Sequence, residues 1–73
     1  MPQGSSLTAR ETEILKMIAD GLSDKEIAIR LGIRRRTVSN HVSVILLKLN
    51  ASRRAEAVCQ AFRLGLIPIN PQG

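Results

Sequence analysis

The side chains best suited to chemistry lie between residues 34 and 48. The stretch opens with three guanidinium groups, those of Arg34, Arg35 and Arg36. Small polar side chains follow at helical spacing, at Ser39, Asn40 and Ser43. An Asn amide can form two hydrogen bonds with an adenine edge, and a Ser hydroxyl can donate or accept. Arginine binds phosphate through its planar fork of donors. This combination suits recognition of a nucleic acid.

The charge of the chain also indicates an anionic partner. Its 73 residues carry eleven Lys and Arg against six Asp and Glu, a formal net charge of +5 at pH 7. Residues 34–73 hold seven of the basic side chains and a single acidic one, Glu56. Basic charge clustered in one part of a small domain is typical of nucleic-acid binding. The alternative is a charge run that is merely solvated.

The composition argues against several other classes of protein. Cys59 is the only thiol and His41 the only histidine, so we expect no metal site and no cofactor. His41 has no carboxylate nearby in the sequence to orient it, and we therefore expect no enzyme. No apolar run approaches the ~20 residues that span a bilayer, which predicts a soluble, cytoplasmic protein without membrane contact.

Hydrophobic periodicity predicts four helices and no strand, an all-α fold. Thr8 with Glu11, and Ser23 with Glu26, have the spacing of capping boxes that open the first two helices. A tight turn through Gly32 then leads into a longer third helix. A short helix, a tight turn and a longer helix form a helix-turn-helix, whose second helix enters the DNA major groove.

The third and fourth helices have distinct predicted faces. The third helix should bury Val38, Val42, Ile45, Leu46 and Leu49. Its opposite side then exposes Arg36, Ser39, Asn40, Ser43, Val44 and Leu47. Asn50 can end this helix, and Ser52 is expected to cap the fourth. That helix is expected to carry its apolar residues at Ala55, Val58, Ala61, Phe62 and Leu64.

The two ends of the chain differ in composition from the part between them. Residues 1–6 and 68–73 are rich in Pro, Gly, Ser and Gln, as linkers and frayed termini usually are. We expect a disordered linker or tag over 1–6, a flexible tail over 68–73, and one domain over residues 7–67.

Residues 7–67 resemble the LuxR/NarL/FixJ/GerE-type helix-turn-helix DNA-binding domain. The matching segments are Leu7-Thr8-Ala9-Arg10-Glu11, Gly21-Leu22-Ser23-Asp24-Lys25-Glu26-Ile27-Ala28, Leu31-Gly32-Ile33, Thr37-Val38-Ser39-Asn40-His41-Val42, Ile45-Leu46, Lys48-Leu49, Arg53-Ala55-Glu56-Ala57 and Gly65-Leu66. Region 4 of a sigma factor shares the opening segment, but Lys48-Leu49 and the segment after it favour the LuxR type. A helical module that binds an acidic protein would leave the small polar stripe unexplained.

The resemblance implies sequence-specific binding of double-stranded DNA for transcription regulation. The implied base contacts are Ser39, Asn40 and Ser43, and the implied backbone contacts are Lys25, Thr37 and Lys48. Charge adds Arg34, Arg35 and Arg36 to the backbone contacts, and His41 is expected to pack or to bind a phosphate.

The resemblance also implies a homodimer through the fourth helix. Its predicted interface is Val58, Cys59, Ala61 and Phe62, with the core as the alternative for each. We expect Cys59 in particular to be a small buried side chain. The implied context is the output domain of a two-component response regulator, with an N-terminal receiver or ligand-binding domain and RNA polymerase as further partners.

The chain departs from the family pattern at three positions. Arg34 stands where the family often has a Ser or Thr that caps the recognition helix. Val44 and Leu47 stand where polar or basic residues are more frequent, so partial burial of Leu47 is an alternative to its exposure.

Overall fold

The computed structural model describes residues 7–67, and the predicted linker and tail, 1–6 and 68–73, lie outside the described residues. The described part holds four helices: α1 (Ala9–Ala19), α2 (Asp24–Leu31), α3 (Arg35–Lys48) and α4 (Arg54–Arg63). Residues 7–67 contain no strand, and the predicted all-α fold is confirmed. No helix among these residues is long and apolar enough to cross a membrane.

Both predicted capping boxes are present at the starts of α1 and α2. Thr8 Oγ1 accepts from the Glu11 backbone N–H at 3.1 Å, and Glu11 Oε1 accepts from the Thr8 N–H at 2.9 Å. Ser23 and Glu26 make the same reciprocal pair at 3.2 and 2.8 Å. Gly32 ends α2 with φ of 67°, a left-handed conformation that glycine adopts without a Cβ clash.

The starts of α3 and α4 lack such caps. Arg34 and Arg53 are the N-cap residues, and neither makes a side-chain capping hydrogen bond. The expectation that Ser52 caps α4 is therefore wrong. The Ser52 backbone N–H donates instead to the Glu56 carboxylate, and α4 begins one residue later than expected.

The core is aliphatic and centres on α3, which packs against the other three helices. The buried apolar side chains are Ile14, Leu15, Ile27, Ala28, Val38, Val42, Ile45, Leu49, Ala57, Ala61 and Ile67. The predicted stripe of α3 is thus buried, with Leu46 partly so. Of the apolar side chains that the sequence places on α4, Ala55 and Leu64 are exposed. Ala61, which was among the predicted positions, is fully buried, and Ala57, which was not, also faces the core.

Candidate nucleic-acid interface

The polar side of α3 is open to solvent. Ser39, Asn40 and Ser43, the predicted base contacts, are all exposed, because the buried stripe of α3 lies on the other side of the helix. Leu47 also lies at the surface with 80% of its area exposed, so the alternative of partial burial is wrong. Val44 is 39% exposed. The face therefore offers short polar groups and two apolar ones.

The residues predicted to contact the DNA backbone differ in how far their side chains are exposed to solvent. Lys25, Arg34, Arg35 and Arg36 are exposed. Thr37, His41 and Lys48 are partly buried. The three arginines stand at the N-terminus of α3, where helix dipole and positive charge oppose each other. An anion near this end would relieve that repulsion.

An open groove of about 540 Å³ runs between α3 and the start of α4. Its lining is Ser39, Val42, Ser43, Leu46, Arg53, Arg54 and Ala55. Two predicted base contacts thus share a groove with Arg53 and Arg54, which the sequence analysis did not assign to the site. The adjacent arginines at the start of α4 were the available signal, since they repeat the pattern seen at the start of α3.

Asp24 joins three helices beside this groove. Its carboxylate pairs with Arg54 through two contacts, Oδ1 to Nη1 at 2.6 Å and Oδ2 to Nη2 at 2.9 Å. Ser39 Oγ lies 3.3 Å from the same Oδ2. The hydrogen bond from Arg54 is the main reason that the pKa of Asp24 lies below its ordinary value, and the Ser39 hydroxyl adds to the effect. No local sequence pattern indicates this junction, because Asp24 and Arg54 are 30 positions apart.

Lys48 has a structural partner that its predicted role did not include. Its Nζ lies 2.7 Å from Oε1 of Glu11, a carboxylate 6% exposed on α1. Burial raises the pKa of Glu11, but hydrogen bonds from Lys48 and Thr8 outweigh it and hold the pKa below the ordinary value. The pair fastens α3 to α1, so any phosphate must approach an ammonium group already engaged in the fold.

The predicted dimer residues of α4 do not share one environment. Val58 and Phe62 are partly buried, and Cys59 is exposed, contrary to the expectation of a buried thiol. Cys59 lies on the side of α4 opposite the core-facing Ala57 and Ala61. Ala61 is 0% exposed, so it packs within the protomer and has no surface for a second copy. Its assignment to the interface is wrong for that reason.

A second groove of about 410 Å³ lies between α4 and the end of α1. Its lining is mostly apolar: Ile18, Ala19, Gly21, Leu22, Arg54, Ala55 and Val58. It places Ala55 and Val58 on an apolar surface that continues from α4 onto α1. Within residues 7–67, no group of three His, Cys, Asp or Glu is arranged to hold a metal ion.

Comparison with known proteins gives a consistent result. A family model described as "Bacterial regulatory proteins, luxR family" matches residues 5–61. The chain is 43% identical over 63 residues to transcriptional regulatory protein DesR of Bacillus subtilis (strain 168), covering 86% of this chain and 32% of that protein. It is 51% identical over 61 residues to response regulator protein VraR of Staphylococcus aureus (strain NCTC 8325 / PS 47), covering 84% and 29%.

The solved structures include a similar fold. The structure of the transcription factor GerE superposes with a TM-score of 0.83 at 39% sequence identity, covering 88% of this chain and 96% of that one. The chain spans only about a third of the length of the curated regulators it matches.

Proposed function

Because the chain belongs to the luxR family of bacterial regulatory proteins, we propose that it regulates transcription by reading a specific sequence of double-stranded DNA. DNA binding for transcription regulation is the role of the family's helix-turn-helix domain.

The observation that carries the proposal is the two-sided character of α3. Its apolar side is buried against the other helices, and its exposed side presents Ser39, Asn40 and Ser43. A helix of this kind fits the major groove, where base edges differ in their donors and acceptors. Asn40 has the amide needed for a two-point contact with adenine. Short side chains require close approach, which phosphate contacts on both flanks would secure.

The basic residues around α3 supply that approach. The proposed backbone contacts are Lys25, Arg34, Arg35, Arg36, Thr37, His41 and Lys48, and the groove adds Arg53. Each phosphate that a cation neutralises releases condensed counterions, so binding should weaken steeply as salt rises. Phosphate contacts of this kind fix the register of α3 without reading sequence.

The apolar surface of α4 supports a homodimer on DNA. We assign Val58, Cys59 and Phe62 to the interface and add Ala55, which is exposed beside the second groove. Two copies related by a two-fold axis would read two related half-sites about one helical turn, ~10 base pairs, apart or at a multiple of that spacing.

The relatives suggest the wider context. They are regulators about three times as long as the matched region, and one is a response regulator by name. The chain therefore acts as the output domain of a two-component response regulator, joined to an N-terminal receiver or ligand-binding domain and working with RNA polymerase. Its place is the cytoplasm, where bacterial DNA lies. This role needs no catalytic site and no cofactor.

The proposal is tested by selection from a random pool of double-stranded DNA with the 73-residue chain at two salt concentrations. We expect enrichment of one motif with two related half-sites and a steep loss of affinity at the higher salt. Enrichment of single half-sites would support DNA reading and contradict the dimer. Binding without any enriched motif at either salt would contradict sequence-specific reading.

A further inference from the structure

The hydroxyl of Ser39 is held on one side by an acid of another helix. Ser39 lies on the exposed face of α3, and its Oγ is 3.3 Å from Oδ2 of Asp24, the first residue of α2. A hydroxyl has one proton to donate and two lone pairs, whereas an ionised carboxylate can only accept. The contact can therefore form only with the Ser39 proton directed toward Asp24.

Arg54 holds the Asp24 carboxylate in place and favours its ionised form, which can only accept the Ser39 proton. It pairs with both carboxylate oxygens, at 2.6 and 2.9 Å, and the Asp24 side chain is only 18% exposed. The carboxylate is ionised at neutral pH, and the hydrogen bond from Arg54 holds its pKa below the ordinary value. Arg54 also offsets a negative charge that would otherwise repel a phosphate beside the groove.

The contact between Ser39 and Asp24 controls direction more than stability. A separation of 3.3 Å is long for a hydroxyl donor, so the hydrogen bond itself is weak. Even so, the ionised carboxylate can only accept, so the contact favours the rotamer that points the Ser39 proton at it. The lone pairs of Ser39 then face away from Asp24, on a residue that lines the open groove.

We propose that Asp24, held by Arg54, is a positioning residue that makes Ser39 a hydrogen-bond acceptor toward DNA and so selects a base with an amino group. This inference rests on the proposed DNA-reading function. In the major groove, adenine N6 and cytosine N4 carry amino donors, whereas thymine O4 and guanine O6 are acceptors. Ser39 therefore favours adenine or cytosine over guanine or thymine on the strand it faces.

Ser43 provides the internal comparison. It lines the same groove one helical turn after Ser39, and its hydroxyl makes no hydrogen bond with another of the described residues. Its proton is free to turn, so Ser43 can donate to one base and accept from another. The two serines thus share chemistry and helix but differ in whether an acid fixes the hydroxyl.

The experiment compares motifs selected from a random double-stranded DNA pool by the wild-type chain and three variants. Ser39→Ala and Ser43→Ala identify the motif position that depends on each serine, and Asp24→Asn releases Ser39, because an amide can donate as well as accept. Thermal melting of each variant accompanies the selection.

We expect the Ser39-dependent position to favour adenine or cytosine about fivefold in the wild type, the worth of one net hydrogen bond. Asp24→Asn should remove this preference at that position and leave the Ser43-dependent position unchanged. A Ser39-dependent position that favours guanine or thymine would overturn the inference, as would an unchanged preference in Asp24→Asn. A motif that Ser39→Ala leaves intact at every position would also overturn it.

The inference stays testable if Asp24→Asn unfolds the chain, because the base chosen by the wild type at the Ser39-dependent position decides between acceptor and donor. Absence of any motif for the wild type would instead be failure of the proposed function.

Discussion

The two halves of the described chain begin their helices in opposite ways. In the first half, α1 and α2 each start with a complete capping box and acidic residues in the first turn. In the second half, α3 and α4 start at arginines that make no side-chain capping bond. The start of α3 also carries positive charge where the helix dipole favours negative charge, and it does so on the surface that we assign to DNA.

The cost of those arginines is the physical clue to their use. A cation near a helix N-terminus opposes the dipole by about 0.3–1 kcal/mol, before screening by salt. Three such charges at the start of α3 lower the free energy of unfolding of a domain that is small and therefore only modestly stable. A phosphate at the same place would reverse the sign of the interaction. We infer that the second half gives up local stability for DNA affinity.

Two ion pairs hold these contrasting halves together. Glu11 of α1 pairs with Lys48 of α3, and Asp24 of α2 pairs with Arg54 of α4. In each pair the acid comes from the capped half and the base from the uncapped half. The capped half therefore provides the acidic partners that hold α3 and α4 in place.

The largest expected effect comes from removing the basic start of α3. Replacing Arg34, Arg35 and Arg36 together by Gln should weaken DNA binding about 100-fold at low salt and reduce the salt slope by about 3, since each phosphate contact contributes about 0.9. Affinity measured across a salt series checks this. A matched control removes three cations elsewhere, at Arg10, Lys16 and Arg63. Equal loss in both variants would mean that only net charge matters.

Glu11→Ala should have the largest effect on stability, about 2 kcal/mol of unfolding free energy. It removes half of a capping box and leaves Lys48 without the carboxylate that it contacts at 2.7 Å. Glu13→Ala is the control, because Glu13 makes only a long contact of 3.9 Å with Arg10 at an exposed site. Denaturant unfolding that gives both variants the same stability would contradict a stabilising role for the contacts of Glu11.

Acid should destabilise the fold by protonating the two carboxylates that pair with Lys48 and Arg54. Glu11 and Asp24 have pKa values below their ordinary 4.5 and 3.8, so folding favours their ionised forms. Their contribution is complete above the unfolded-state values and is lost as pH falls through the folded-state values. We expect stability to change little from pH 7 to about 5 and to fall below about 4. Melting temperatures across this range check it, and a fall that begins above pH 6 would contradict it.

The smallest expected effects come from removing a helix cap in the first half and adding one in the second. Thr8→Ala should cost about 1 kcal/mol, whereas Arg34→Ser should stabilise α3 by about 0.5 kcal/mol, because a hydroxyl can accept from the first-turn N–H groups. The same Arg34→Ser should weaken DNA binding several-fold. Paired unfolding and binding titrations measure both changes. A serine that stabilises without any loss of affinity would remove Arg34 from the interface.

The sequence predicted the features that depend on near neighbours. The capping boxes at Thr8 and Ser23 and the two faces of α3 involve residues within three or four positions of each other, and they were identified correctly. The buried side of α4 was identified only in part, because the small residue Ala57 faces the core together with Ala61. Helical spacing alone does not reveal which small residue faces the core.

The contacts between helices were beyond such reasoning. Asp24 and Arg54 meet only once α2 and α4 have packed on α3, and their charges alone offer many other pairings. The exposure of Cys59 likewise follows from the packing of α4 and not from its residue type. The sequence thus indicated the kind of site, and the packing revealed what orients its side chains.

The most direct test of DNA reading by α3 is a binding titration of the wild type and Asn40→Ala against the selected duplex and a scrambled duplex of the same length. We predict that Asn40→Ala binds the scrambled duplex as the wild type does and loses about tenfold in preference for the selected one, as expected for one base contact. Equal weakening on both duplexes would contradict a base contact by Asn40 and the reading face built around it.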